Sequence, residues 1–100
     1  MKTFTVYILQ CSDGSYYTGL TSYLEQRLEQ HQKGFFKTCY TFSRRPVTLR
    51  WHEEFQDFGL AVEWEKKIKG WRREKKQALM ENRFEDLVEL SKNYSERSHP

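Results

Sequence analysis

Two tyrosines, Tyr7 and Tyr17, stand on either side of a turn signal, and Gly19 follows the second by two residues. A phenol can hold or pass a proton, and a glycine lets another group come close to the backbone. Arg27 and His31 are spaced four apart in a stretch of helical periodicity. The guanidinium fork suits an oxyanion, above all a phosphate, and an imidazole can orient or relay. Glu63 and Glu65 flank Trp64 further along. One carboxylate can hold magnesium if waters and a substrate phosphate complete the ion's shell. Last, residues 66–76 read KKIKGWRREKK, seven basic residues against one glutamate, interleaved with Ile68 and Trp71. Such a stripe is an electrostatic footprint for a phosphate backbone.

Each feature also has a plainer reading. Tyrosines suit strands, and six of them in a small domain can simply pack. Arg27 can snorkel along the edge of the core while His31 bonds a carbonyl. A rim glutamate and a basic helix face are commonly just solvated. His52 beside Glu53 and Glu54 is no cluster, because neighbours on a strand point to opposite faces. His99 lies in the tail. Cys11 and Cys39 fit no metal-ligand spacing and read as two reduced thiols.

The elements decide whether these groups meet. TFTVYILQ and SYYTGL are strands by composition, joined through Ser12-Asp13-Gly14. A two-residue turn would put Tyr7 and Tyr17 on opposite faces. A three-residue turn, with Gly14 in the left-handed conformation, pairs Cys11 with Ser15. Tyr7 then lies opposite Gly19 and Tyr17 opposite Leu9, all on one face, with an open notch beside the Tyr7 ring. The longer turn is the reading adopted. Thr21 and Ser22 can cap a helix over residues 23–33 that Gly34 ends, with Leu24 and Leu28 on its buried side. Arg27 and His31 fall beside those leucines, an odd place for a guanidinium without a task. Residues 34–46 read as a loop rich in aromatic and basic side chains. VTLRWHEEF is an alternating strand whose Val47, Leu49 and Trp51 share a face. Asp57 or Gly59 opens a second helix with Leu60, Ala61, Trp64, Ile68 and Trp71 on one stripe, which Gly70 bends or ends. Periodicity does not choose between Glu63 and Glu65 at the rims of that stripe. A helix from about Arg72 to Met80 and a short one around Phe84 to Leu90 follow. The reading is α+β: a three-stranded, mainly antiparallel sheet flanked by helices in β-β-α-β-α-α order. It is one domain over residues 1–90 with a polar tail over 91–100.

A chain of 100 residues, 37% apolar and 16% aromatic, has enough for one small core and is not a disordered composition. The formal charge of +3 is modest because acids downstream of the stripe offset it. No window reaches membrane-spanning length, and the first residues carry too short an apolar run for a signal peptide. A cytoplasmic protein without a membrane partner is expected.

Taken in order, the motifs resemble the GIY-YIG nuclease superfamily, in particular its small stand-alone bacterial members, which are similar to the catalytic domain found in excision nuclease. The resemblance runs from about Thr5 to about Leu87. Val6-Tyr7-Ile8 stands where the family has its first motif, and Tyr17-Thr18-Gly19 where it has the second. Arg27-x-x-x-His31 follows on the first helix. Tyr40-Thr41 and Arg45-Pro46-Val47 match the loop before the third strand. Ala61-x-x-x-Glu65-x-x-Ile68-Lys69 matches the helix carrying a metal-binding glutamate, and Asn82 falls near the family's late asparagine. Val6 replaces the glycine of the first motif and Thr18 the isoleucine of the second; both flank the reactive positions.

The resemblance implies hydrolysis of a nucleic-acid phosphodiester, DNA favoured, with one divalent magnesium or manganese ion. It selects Glu65 as the metal ligand, Tyr7 as general base, Arg27 as the group on the phosphate, and Tyr17 and His31 as orienting or relaying groups. A phenol near pKa 10 needs nearby positive charge to serve at neutral pH. Gly19, Tyr40, Arg45, Lys66, Lys69, Arg72, Arg73 and Lys76 are the expected nucleic-acid contacts. The rival expectation is a binding module on the same fold, with weak or lost chemistry. A third is a protein-partner surface built on Phe35, Phe36 and Phe42.

Overall fold

The computed structural model describes residues 2–83 together with 85 and 87. Strands β1 (Phe4–Gln10), β2 (Tyr16–Thr21) and β3 (Thr48–Phe55) form one sheet in the order β2-β1-β3, antiparallel throughout. Helix α1 (Leu24–Gln32) follows β2; α2 (Phe58–Lys69) and α3 (Arg73–Met80) follow β3. The order is β-β-α-β-α-α, as the sequence predicts. No helix among the described residues is long and apolar enough to cross a membrane. The chain divides into two compact units, residues 1–69 and 70–100.

The hairpin turn has three residues. The Cys11 amide donates to the Ser15 carbonyl at 2.8 Å, and Gly14 sits at φ +85°. Asp13 accepts from the Ser15 amide at 3.0 Å and pairs with Arg44 at 3.1 Å, which ties the turn to the loop before β3. Tyr7 therefore pairs with Gly19 and Leu9 with Tyr17 on one face. Central β1 is apolar and fully buried from Val6 to Leu9, as a strand covered on both faces must be.

Two local readings change at β3 and at the start of α1. Val47, Leu49 and Trp51 do not share a face. A bulge shifts the register so that Leu49 pairs with Leu9 but Trp51 with Ile8. Arg50 is the extra residue, and an extra residue inverts the alternation beyond it. Leu49 joins the core of Tyr7, Leu9, Cys11 and Val47, against which Leu24 and Leu28 of α1 also pack. Second, neither Thr21 nor Ser22 caps α1. Tyr23 holds the cap position without a side-chain bond, because the Thr21 hydroxyl accepts the Tyr23 amide two residues earlier.

Helix α1 ends on a Schellman arrangement. Phe35 N–H reaches the Gln30 carbonyl at 2.9 Å, with Gly34 at φ +73°. Asp57 opens α2, its carboxylate accepting the Gly59 amide at 2.8 Å. This helix packs across all three strands and buries Ala61 and Ile68. Leu60, expected on the same stripe, stays 42% exposed. Gly70 ends the helix, so Trp71 is not part of it.

In the second unit α3 buries Ala78 and Leu79 and closes on Asn82, a residue that tolerates its φ of +57°. The helix expected around Phe84 to Leu90 falls, apart from residues 85 and 87, outside the described residues. So does the tail over 91–100.

Candidate active site

Tyr7 is the centre of the site and is wholly buried. Its hydroxyl lies 3.1 Å from His31 Nε2. The other imidazole nitrogen, Nδ1, is 2.9 Å from the Thr41 hydroxyl, which donates to Cys39 Sγ at 3.5 Å. His31 is 2% exposed, and its ring meets Tyr17 edge-on at 5.3 Å and Phe36 at 5.2 Å. Tyr7 and Tyr17 have ring centroids 6.4 Å apart. The position of His31 beside Leu24 and Leu28 is thus an inward one: α1 lies on the Tyr7 face and hands its imidazole to the phenol.

Gly19 does not leave a notch beside Tyr7. A Cβ there would stand 2.4 Å from both Cζ and the hydroxyl oxygen of Tyr7. The missing side chain makes room for the Tyr7 ring itself.

The charges follow the same geometry. Burial pushes the Tyr7 phenol well above its ordinary value and neighbouring Tyr17 adds to this, while Arg27 pulls it back in part. Tyr17 is pushed up to about 12, first by burial, then by Cys39, with Glu65 adding to the rise and Arg27 opposing it. Burial lowers His31, and Arg27 lowers it further, so its neutral form is favoured. Burial alone would raise the Cys39 thiol, but hydrogen bonds from Thr41 and Tyr17 outweigh it and the net direction is down. Arg27 is therefore the positive centre felt by Tyr7, Tyr17 and His31 alike. Its guanidinium lies 5.2 Å from the Phe36 ring centroid. A cleft of about 150 Å³ lined by Thr21, Tyr23, Gln26, Arg27 and Gln30 opens beside it.

The structure separates the two acids that periodicity could not. Glu63 is about half exposed and pairs with Lys67 at 3.0 Å. The Glu65 side chain is only 16% exposed, and its charge is felt by Tyr17. Its partner is Lys69, 2.9 Å away. No group of three or more His, Cys, Asp or Glu gathers among the described residues. An ion of the magnesium type keeps most of its waters and needs only one or two carboxylates, a requirement that the inward Glu65 fits.

The expected nucleic-acid contacts divide between the two units. Lys66 is exposed on α2, while Lys69 is engaged by Glu65. Arg45 stacks on Phe42 at 4.5 Å and donates to the Phe42 and Gln32 carbonyls at 2.8 and 3.3 Å, so it builds the loop. Tyr40 is 43% exposed beneath the Arg44 guanidinium, 3.8 Å from its ring centroid. Arg72, Arg73 and Lys76 belong to the second unit. Arg73 is exposed there, whereas Lys76 is half-buried and burial lowers its pKa. Sequence reasoning passed over Cys39 and gave Thr41 no role. No spacing signals either, because a loop brings both to the tyrosines.

The GIY-YIG catalytic domain family model matches residues 3–78 of this chain. A UPF0213 protein of Halobacterium salinarum is 43% identical over 74 residues, covering 74% of this chain and 95% of that protein. The solution NMR structure of a UPF0213 protein from Bacillus halodurans is similar at a TM-score of 0.53 and 37% identity, over 79% of this chain and 83% of that one. A second NMR structure, of a protein from E. faecalis, has a TM-score of 0.59 at 32% identity, over 82% of this chain and 86% of that one.

Proposed function

The chain belongs to the GIY-YIG catalytic domain family, a nuclease family, and from that membership we propose that it is a metal-dependent endonuclease hydrolysing phosphodiester bonds in nucleic acid, with DNA favoured. The observation that carries the proposal is the buried contact between Tyr7 and His31, with Arg27 and Glu65 both acting electrostatically on the adjoining Tyr17.

In this reading Tyr7 draws a proton from the attacking water. A phenol that burial pushes upward is a poor base if it must ionise first, so His31, 3.1 Å away, serves as the relay. Arg27 donates to a non-bridging oxygen and gains strength as charge builds there in the transition state. Tyr17 orients the water or the phosphate. Glu65 would hold the divalent ion, magnesium or manganese, with Lys69 giving up its hold on the carboxylate. The chemistry such an ion supplies there is neutralisation of charge on the scissile phosphate and the leaving oxygen. Gly19 contributes by seating Tyr7. Tyr40, Arg45, Lys66, Lys69, Arg72, Arg73 and Lys76 are the proposed contacts to the nucleic-acid backbone and bases.

The test is cleavage of branched, flap, nicked and linear DNA with magnesium, with manganese and with chelator. Tyr7→Phe and Glu65→Gln should each lower the rate by on the order of 10²-fold or more while binding persists. If the wild type cleaves no better than these variants and all of them bind, the binding-module reading replaces the enzyme.

A further inference from the structure

We propose that Thr41 is a positioning residue that holds His31 in the tautomer protonated on Nδ1, leaving Nε2 bare to take the Tyr7 proton. Counting hydrogens around His31 leads to that tautomer. The Thr41 hydroxyl has one proton, and it points at Cys39 Sγ, 3.5 Å away. Sγ accepts there, and the Tyr17 phenol acts on the same sulfur electrostatically. Towards His31 Nδ1, at 2.9 Å, the Thr41 oxygen therefore has only lone pairs to offer. Nδ1 must carry the proton, Nε2 must accept, and Tyr7 is the donor across 3.1 Å. Thr41 is 1% exposed and His31 2%, so water cannot readily substitute for either partner. The groups that face the imidazole are Tyr7 from β1, Tyr17 from β2, Arg27 from α1, and Phe36, Cys39 and Thr41 from the loop.

The step balances without an ionised phenol in the resting site. The Tyr7 O–H bond breaks as the Nε2–H bond forms. The Tyr7 oxygen takes a proton from the attacking water, whose oxygen uses the freed electron pair to bond phosphorus while the bond from phosphorus to the leaving oxygen breaks and that oxygen departs with its pair. His31 ends as an imidazolium, with Thr41 still accepting from Nδ1. In the opposite tautomer Nε2 would carry a proton already and could not receive another, so the relay would be closed. The arrangement needs Cys39 only as the acceptor that turns the Thr41 hydroxyl away from His31.

The catalytic part of this inference rests on the nuclease reading; the tautomer does not. Long-range ¹H–¹⁵N spectra of the full chain, without metal and above pH 7, should give His31 a pyrrole-type Nδ1 and a pyridine-type Nε2. His31→Gln assigns the signals against the other two histidines. Thr41→Val should move the population towards the opposite tautomer and slow cleavage by about tenfold or more, in the range seen when an orienting partner is lost. Thr41→Ser should restore both. Cys39→Ala, which frees the Thr41 proton to turn to Nδ1, should shift the tautomer in the same direction as Thr41→Val. A wild-type spectrum with the proton on Nε2 overturns the proposal, as does a Thr41→Val protein with unchanged spectrum and rate. A wild type that cleaves nothing defeats the nuclease reading, and the spectra still decide the role of Thr41.

Discussion

Gly19 and Tyr7 form a single structural decision. The end of the Tyr7 ring stands where a Gly19 side chain would be, and the ring's placement brings its hydroxyl to His31. Gly19→Ala must push one of the two aside. Because the ring is buried, the strain should cost about 1–3 kcal/mol of stability. It should also lower cleavage more than a surface substitution of equal cost, which melting curves and rates measured side by side will distinguish. The same burial predicts a response to alkali. Tyr17 is raised to about 12 and Tyr7 is raised as well, whereas both titrate near 10 when unfolded. Above that pH the unfolded chain sheds protons that the folded chain keeps. Stability from these phenols is therefore complete below about pH 10 and falls as the pH rises past it. Denaturant titrations across that range should show the decline, and Tyr7→Phe should make it shallower.

At the level of elements, two devices decide which strand residues share the Tyr7 face. The three-residue turn sets the register of β2 on β1, and the bulge at Arg50 keeps Leu49 on the Tyr7 face while turning Trp51 away. Thr18, between Tyr17 and Gly19, points to the opposite face and pairs with Ile8. It is 3% exposed, and its hydroxyl has no hydrogen-bond partner. A buried hydroxyl without a partner has given up its hydrogen bonds to water and gained none in exchange. Thr18→Val should therefore raise stability by about 1 kcal/mol with cleavage unchanged, since the substitution lies on the face away from Tyr7. A fall in melting temperature would contradict this.

Across the whole chain, the basic stripe is less available than its composition suggests. Lys67 and Lys69 are each tied to a glutamate one turn back, and the Lys75 ammonium lies over Trp71 at 4.2 Å. Lys66 is exposed on the same helix as Glu65. If it contacts a phosphate, Lys66→Ala should reduce the slope of log K against log salt by about one unit. Lys67→Ala should change that slope less, because Lys67 is already paired with Glu63 and is less free to meet a phosphate. Anisotropy titrations with a DNA fragment at several salt concentrations separate the two.

The strands, the three-residue turn, the helix over Arg27 and His31 and the family membership were all legible in the sequence, because they rest on short-range signals. Alternation, a glycine that can adopt positive φ and a four-residue spacing are each local. The N-cap of α1 and the face of Trp51 were misread from equally local cues, overridden by a Thr21 hydroxyl that bonds the Tyr23 amide ahead of the helix and by one extra residue in β3. Which of Glu63 and Glu65 turns inward lay beyond periodicity, since both sit at the rim of one stripe and only packing decides it. The ring in the place of a Gly19 side chain, and the chain of bonds from Tyr7 through His31 and Thr41 to Cys39, needed the tertiary structure. Those contacts join β1, α1 and a loop without regular periodicity, and a direction of proton transfer depends on distances that no local pattern encodes.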